Sequence, residues 1–236
     1  MTDTEQTEAP ADDLRAGLLA TLEAELGDAV VGSHIKPGIA LWVRVTAEAW
    51  GQAAEAVSRK LGCRFFDYLG GIDWLPSPWG RYEDSQIDTG LSLADQVAAA
   101  HAAERVTGYA GGDTRFQVMA HVINVIDKHD VFLKVDVPDD TMTLPTWLGT
   151  YAGANWHERE AWEMYGINFE GHPDLRHIYL PGDFEGHPLR KDFPLLARVV
   201  KPWPGIVDVE PMPGETAADG EAEGDAVGTP DEEADS

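Results

Sequence analysis

FQVMAHVINVIDKHDVFLKVDV, residues 116–137, reads as two β-strands joined by a polar turn. From Phe116 to Ile126, the side chains of Phe116, Val118, Ala120 and Val122 fall on one face at the strand period of two. Met119, Ile123 and Val125 fall on the other, so both faces are apolar, as expected of an internal strand. His121 is a face residue in this pattern rather than a catalyst. Val131, Leu133, Val135 and Val137 then alternate with Phe132, Lys134 and Asp136, which predicts a strand covered on one side. Asp127 to Asp130 is short enough for a hairpin connection.

Upstream, the chain supplies what such a hairpin packs against. Asp12 or Asp13 can cap a helix in which Leu14, Leu18, Leu22 and Leu26 recur at helical spacing, with Gly27 as its stop. From Ala29 the composition turns β-branched, and the turn at Pro37 and Gly38 divides it into two strands. Thr46 can cap a second helix whose apolar face is Trp50, Ala53, Val57 and Leu61, closed by Gly62. A third strand spans Arg64 to Trp74, with a bulge predicted at Gly70 and Gly71. Cys63, between Gly62 and that strand, fits a packing role better than a reactive thiol.

Helix, two strands, helix and three strands describe an α+β two-layer domain over residues 13–143, two helices covering one face of a mainly antiparallel sheet. Residues 75–114 interrupt it as an insertion. Their alanine-rich run from Leu93 to Val106 suggests a weak helix, with His101 toward solvent, and their glycines lack the following lysine of a phosphate cradle.

Residues 144–207 read as a short helix followed by an extended arm. Thr146 can cap a brief helical segment, and Asn155 with Glu158 three residues on resembles a capping box for Trp156 to Tyr165, stopped at Gly166. Arg159 can reach Glu163 one turn along. The charges could be a solvated surface, but Trp156, Trp162, Met164 and Tyr165 surround the same cylinder, and enclosed charges need partners. Ile167 to Val207 contains six prolines and four glycines and keeps neither period. Such a segment makes no core of its own. It is suited to docking, through Phe169, Phe184, Phe193 and Trp203 as anchors and Arg176, Arg190 and Lys191 as ionic contacts. The word FEGHP occurs twice in it, at residues 169–173 and 184–188.

Charge and composition bound the function. The formal net charge is −25, but residues 1–13 carry five acids and residues 208–236 carry eleven, with no basic residue in either. Both acidic ends, 1–12 and 208–236, are expected to be disordered. The body that remains is moderately acidic, a poor match for nucleic acid. MTDTEQTEAP lacks the pattern of a signal peptide, and no apolar run is long enough to span a bilayer. One cysteine leaves no thiolate cluster for zinc or iron–sulfur binding. Four histidines, 157, 172, 177 and 187, invite a free-standing metal enzyme, yet their spacing matches no metal signature and no serine sits in a nucleophile elbow.

Three words in this region carry a resemblance. Glu158, Arg159 and Glu160 with the stop at Gly166, then Gly171, His172, Pro173, Asp174 and Arg176, then Gly186, His187, Pro188, Leu189, Arg190, Lys191 and Asp192 resemble the signature of the respiratory complex I 30 kDa subunit family, the C subunit of NADH-quinone oxidoreductase. The element order of residues 13–165 fits that family too. The resemblance implies a peripheral subunit without catalytic, metal or cofactor residues of its own, on the cytoplasmic side of the cell membrane. It implies that FMN and Fe–S clusters sit in neighbouring subunits. The arm would dock on the large quinone-site D subunit, in a complex that carries electrons from NADH to quinone and pumps protons. The signature residues would then serve partner recognition. The equivalent subunit of a membrane-bound hydrogenase, or of a dehydrogenase with another donor, is the alternative. The sequence departs from the family pattern at Glu163, where aspartate is usual, and at His177, where arginine is usual.

Overall fold

The hairpin forms between β4 (Phe116–Asn124) and β5 (His129–Asp136), antiparallel, with Ala120 opposite Leu133 and Asn124 opposite His129. In the computed structural model, which describes residues 12–78 and 92–193, Val125 and Ile126 are exposed in the connecting turn rather than on the strand. The reason is Asn124: its side-chain oxygen accepts the amides of Ile126 and Asp127, and that turn ends the strand two residues early.

The remaining elements of the sheet are β1 (Val30–Lys36), β2 (Ala40–Val45) and β3 (Phe65–Asp73), in the order β1-β2-β5-β4-β3. Three of the neighbouring pairs are antiparallel, and β2 and β5 run parallel at the centre. Helices α1 (Asp13–Leu26) and α2 (Trp50–Arg59) pack with the sheet around Leu22, Leu41, Val43, Trp50, Val57, Val118, Val122 and Leu133, all fully buried. Each such side chain contributes about 1.5–3 kcal/mol by leaving water. The α+β two-layer reading therefore describes the molecule. Cys63 is buried in the same core, and burial pushes its thiol up to about 12.

Some local details differ from expectation. Asp12 caps α1 by accepting the Arg15 amide, but Thr46 does not cap α2 with its side chain; tight turns bring the amides of Ala49 and Trp50 to the carbonyls of Thr46 and Ala47. The bulge in β3 falls between Phe66 and Tyr68. Gly71 instead admits the Tyr165 ring, which would lie 2.6 Å from a Cβ at that position.

The outer face of the sheet, away from the helices, carries one ring from every strand. His34, Trp42, Phe132, His121 and Tyr68 follow the strand order, with centroids 4.1–5.9 Å apart. His121 lies between the Asp67 and Asp130 carboxylates. Residues 107–113, expected to belong to the insertion, cover one end of this face. The Lys134 ammonium donates to the carbonyls of Thr107, Tyr109 and Gly111, and Arg44 donates to that of Ala110 and pairs with Asp113 and Asp136. Lys134 is thus buried, not solvent-facing, and burial pulls its ammonium down to about 8.

The described residues fall into two units, 12–75 with 104–193 and 76–78 with 92–103. The described part of the second includes α3 (Leu93–Ala102), capped by the Ser92 hydroxyl, with His101 exposed. The acidic end at residues 1–11, the stretch 79–91, the arm beyond Phe193 with Trp203, and the tail at 208–236 lie outside the described residues.

Three further elements complete the first unit: β6 (Thr143–Pro145), α4 (Ala154–Tyr165) and β7 (Asn168–Glu170). β6 and β7 pair in parallel across the helix. Ile167 and Phe169 are buried in the main core, so the segment leaves the domain after Glu170 rather than at Ile167. β7 escapes a reading of the sequence because three residues are too few to show a period.

Candidate partner interface: the α4 helix and its arm

α4 is the element on which both FEGHP words converge. It packs against β3, and its last turn leaves carbonyls that no residue further along the helix can bond. Gly166 closes it with φ +75 and donates its amide to the Trp162 carbonyl. The second FEGHP word supplies the other donors. His187 Nδ1–H donates to the Glu163 carbonyl at 2.8 Å, the Leu189 amide to Met164 at 3.2 Å and Arg190 Nε–H to Tyr165 at 2.8 Å. A Cβ on Gly166 would lie 2.5 Å from the Arg190 guanidinium and 2.6 Å from the His187 ring, so glycine is needed for the crossing as well as for the turn.

The first FEGHP word does the corresponding job near the start of the helix. His172 Nδ1 accepts the Asp174 amide, which leaves Nε2–H to donate to the Asn155 carbonyl at 3.3 Å. The glycines of both words take positive φ, +88 at Gly171 and +93 at Gly186, and turn the chain toward the histidine. The repeat is thus a pair of clips on one helix, eight residues or about 12 Å apart.

Between the clips the Glu163 carboxylate gathers the arm. It is buried and accepts the amides of Ile178, Tyr179 and Leu180 and the ring of His177. Burial opposes its ionisation, but those donors outweigh burial and hold it at about 2. Arg159 therefore does not pair with Glu163. Its guanidinium donates to the carbonyls of Arg176 and His177 and holds the same loop from its other side.

The far end of the described arm is tied to the sheet. Arg115 makes paired bonds to Asp73 and to Asp192, and the Lys191 amide donates to Asp73. Phe184 and Phe193 pack on each other, with ring centroids 6.1 Å apart.

Glu158 does not complete a capping box. The helix begins at Ala154 without a side-chain cap, and the carboxylate turns inward to accept the Trp147 amide at 2.6 Å and the Thr146 hydroxyl. Thr146 in turn accepts the Leu148 amide through its side chain, which organises a turn rather than a helix. Burial pushes Glu158 up to about 7 against the effect of those two bonds.

What faces outward is a different set of residues. Trp156 is 67% exposed, with the Arg159 guanidinium over its ring, and Tyr179 is 62% exposed, its hydroxyl 3.4 Å from Glu160. Pro173, Asp174, Arg176, Leu189 and the Lys191 side chain are exposed as well, and Pro188 is half-buried. Among the described residues, no three His, Cys, Asp or Glu side chains are placed to hold a metal, and no helix is long and apolar enough to cross a membrane.

Residues 43–199 match the model of the family described as respiratory-chain NADH dehydrogenase, 30 Kd subunit, about two thirds of the chain. The chain belongs to this 30 Kd subunit family. Similar curated proteins include the C subunit of the NADH-quinone oxidoreductase of Roseiflexus sp. (strain RS-1), 47% identical over 39% of this chain and 53% of that one. The C/D subunit of the NADH-quinone oxidoreductase of Aeromonas hydrophila is 37% identical over 62% of this chain, which spans only 22% of that longer protein. The chain thus spans about half or less of these relatives' length. A chain of the membrane-bound sulfane sulfur reductase, an archaeal respiratory membrane complex, shares the fold at TM-score 0.54 and 18% identity, over 79% of this chain and 88% of that one.

Within residues 158–192, the residues that clip the arm to α4 are distinct from those left on its surface. Sequence pattern alone names most of the first group but not the partners that receive them. Thr146, Asp73 and Arg115 lie up to 118 residues from the arm, and no local pattern distinguishes them from surface polar residues.

Proposed function

We propose that the chain is a non-catalytic peripheral subunit of a proton-translocating NADH-quinone oxidoreductase, with no redox cofactor of its own. In this reading it docks on the large quinone-site D subunit and supports electron flow from NADH, through FMN and Fe–S centres in neighbouring subunits, to quinone. It sits on the cytoplasmic side of the cell membrane without crossing it.

The observation that carries the proposal is the division of labour along the arm. Its three histidines and Arg190 are engaged with α4, and Asp192 with Arg115, while Trp156 of α4 and Tyr179 and Leu189 of the arm are displayed outward. Trp, Tyr and Arg are the residue types that dominate binding energy at protein interfaces. A conformation fixed in advance lowers the entropy lost on docking. The relatives whose names carry C/D support the choice of partner, because that name joins C and D in one chain. The alternative, a subunit of a hydrogenase or other-donor dehydrogenase, rests on the shared fold alone.

Affinity purification of the tagged chain from solubilised membranes tests the proposal. It is expected to bring down an NADH-oxidising, quinone-reducing assembly whose flavin and Fe–S signals reside in other subunits. Recovery of the chain alone, or of an assembly indifferent to NADH, would overturn it.

A further inference from the structure

Glu158 is the one fully buried carboxylate of α4 that holds nothing of the arm directly. Its two hydrogen-bond donors, the Trp147 amide and the Thr146 hydroxyl, are uncharged, and no charged side chain acts on it. The ionisable groups on the elements around it are engaged elsewhere. On α4, His157 meets the Leu69 carbonyl, Arg159 the arm carbonyls, Glu160 the Tyr179 hydroxyl and Glu163 the arm amides. His172 of the arm meets the Asn155 carbonyl, and Glu170 of β7 is exposed.

The turn that Glu158 holds is also the root of the arm. The Thr146 amide donates to the Glu170 carbonyl at 2.9 Å, and the Trp147 indole donates to the Trp50 carbonyl while stacking on the Trp50 ring. We propose that Glu158 is a proton-operated joint between α4 and the arm root, whose acid form keeps the Thr146–Trp147 turn closed and whose ionisation loosens that turn.

The physical basis is the cost of a buried, uncompensated carboxylate. As an acid, Glu158 accepts the Trp147 amide through Oε1 and donates its own proton from Oε2 to the Thr146 hydroxyl oxygen, reversing the direction of that bond. As an anion it gains by drawing water inward, and only an open turn admits water. Burial places the closed-state pKa at about 7 against an ordinary 4.5. The closed form therefore binds the proton more tightly than the open form does. Between those two values, rising pH shifts the balance toward opening, by on the order of a hundredfold in total. The joint depends on this chain alone and stands whether or not the partner is the one proposed above.

The test uses the full-length chain. The ¹³C shift of the Glu158 carboxyl reports its ionisation, and the exchange protection of the Trp147 amide, corrected for its intrinsic rate, reports opening. The wild type is expected to titrate near neutrality, with Trp147 protection falling by tenfold or more as the carboxyl ionises. Glu158→Gln, which mimics the acid, is expected to keep its protection throughout. A carboxyl already ionised at about pH 5, or Trp147 protection unchanged while the carboxyl titrates, would overturn the proposal. The wild-type titration decides the matter even if the glutamine variant does not fold.

Discussion

His187 donates its Nδ1 proton to the main-chain carbonyl of Glu163, 2.8 Å away, and so makes the second FEGHP word part of the C-terminal cap of α4. A histidine that reads in sequence as a possible ligand is instead a helix-capping donor. His187→Ala leaves a partly buried carbonyl without that partner, and the expected loss is about 1–2 kcal/mol. The same change at His172, whose bond is longer at 3.3 Å, should cost less. Denaturant unfolding of the two variants checks the ranking, and equal losses would count against the asymmetry of the clips.

Glu163 predicts how the arm answers to acid. Its folded pKa, about 2, lies below the ordinary 4.5, so the unfolded chain binds this proton more readily. Its stabilisation is fully present above about pH 5 and is lost as pH falls from 4.5 toward 2, on the order of 3 kcal/mol in all. Glu163→Gln should be less stable than the wild type at neutral pH, and the gap should narrow in acid. A pH series of unfolding free energies for both proteins measures it.

Arg115 pairs with a fully buried carboxylate, Asp73, and with Asp192 of the arm. Arg115→Met leaves Asp73 buried without its cation, at an expected cost of about 3–5 kcal/mol. The variant should also free residues 191–193 from the sheet, seen as earlier proteolytic cleavage of the arm at a temperature where the domain remains folded.

Gly166→Ala combines a left-handed backbone, φ +75, with a Cβ placed 2.5 Å from Arg190 and 2.6 Å from His187. The backbone strain alone is about 1–2 kcal/mol, and displacement of the second clip adds to it. Thermal melting should show a larger loss for Gly166→Ala than for Gly149→Ala, because a Cβ on Gly149 meets nothing within 4 Å.

The strands and helices are legible in the sequence because their signals are local. Alternation within 116–124 and 129–136 translates into buried strand faces, and the leucine spacing of α1 buries Leu18 and Leu22, although Leu14 at the start of the helix is exposed. The parallel insertion of β5 beside β2 is not legible, since it depends on where a distant hairpin finds its complement. Gly71 illustrates a real ambiguity: glycine in a strand signals either a bulge or a close neighbour, and only the Tyr165 ring decides between them. Glu158 misleads in a related way. An acid three residues after Asn155 fits a capping box, but its donors come from Thr146 and Trp147, twelve and eleven residues upstream. Lys134 reads as solvent-facing because nothing local reveals that the 107–111 carbonyls close over it.

The central claim is that the signature fixes the arm internally, so that its outward aromatic residues can receive a partner. Trp156 and Tyr179 are exposed, so replacing both with alanine should leave the melting temperature of the isolated chain unchanged. Co-purification of the Trp156→Ala, Tyr179→Ala protein with the large partner subunit is the most direct measurement. The account predicts at least a tenfold loss of the complex, in line with the roughly 2 kcal/mol typical of a single aromatic hot spot. Recovery of the partner at wild-type yield with both rings removed would contradict it.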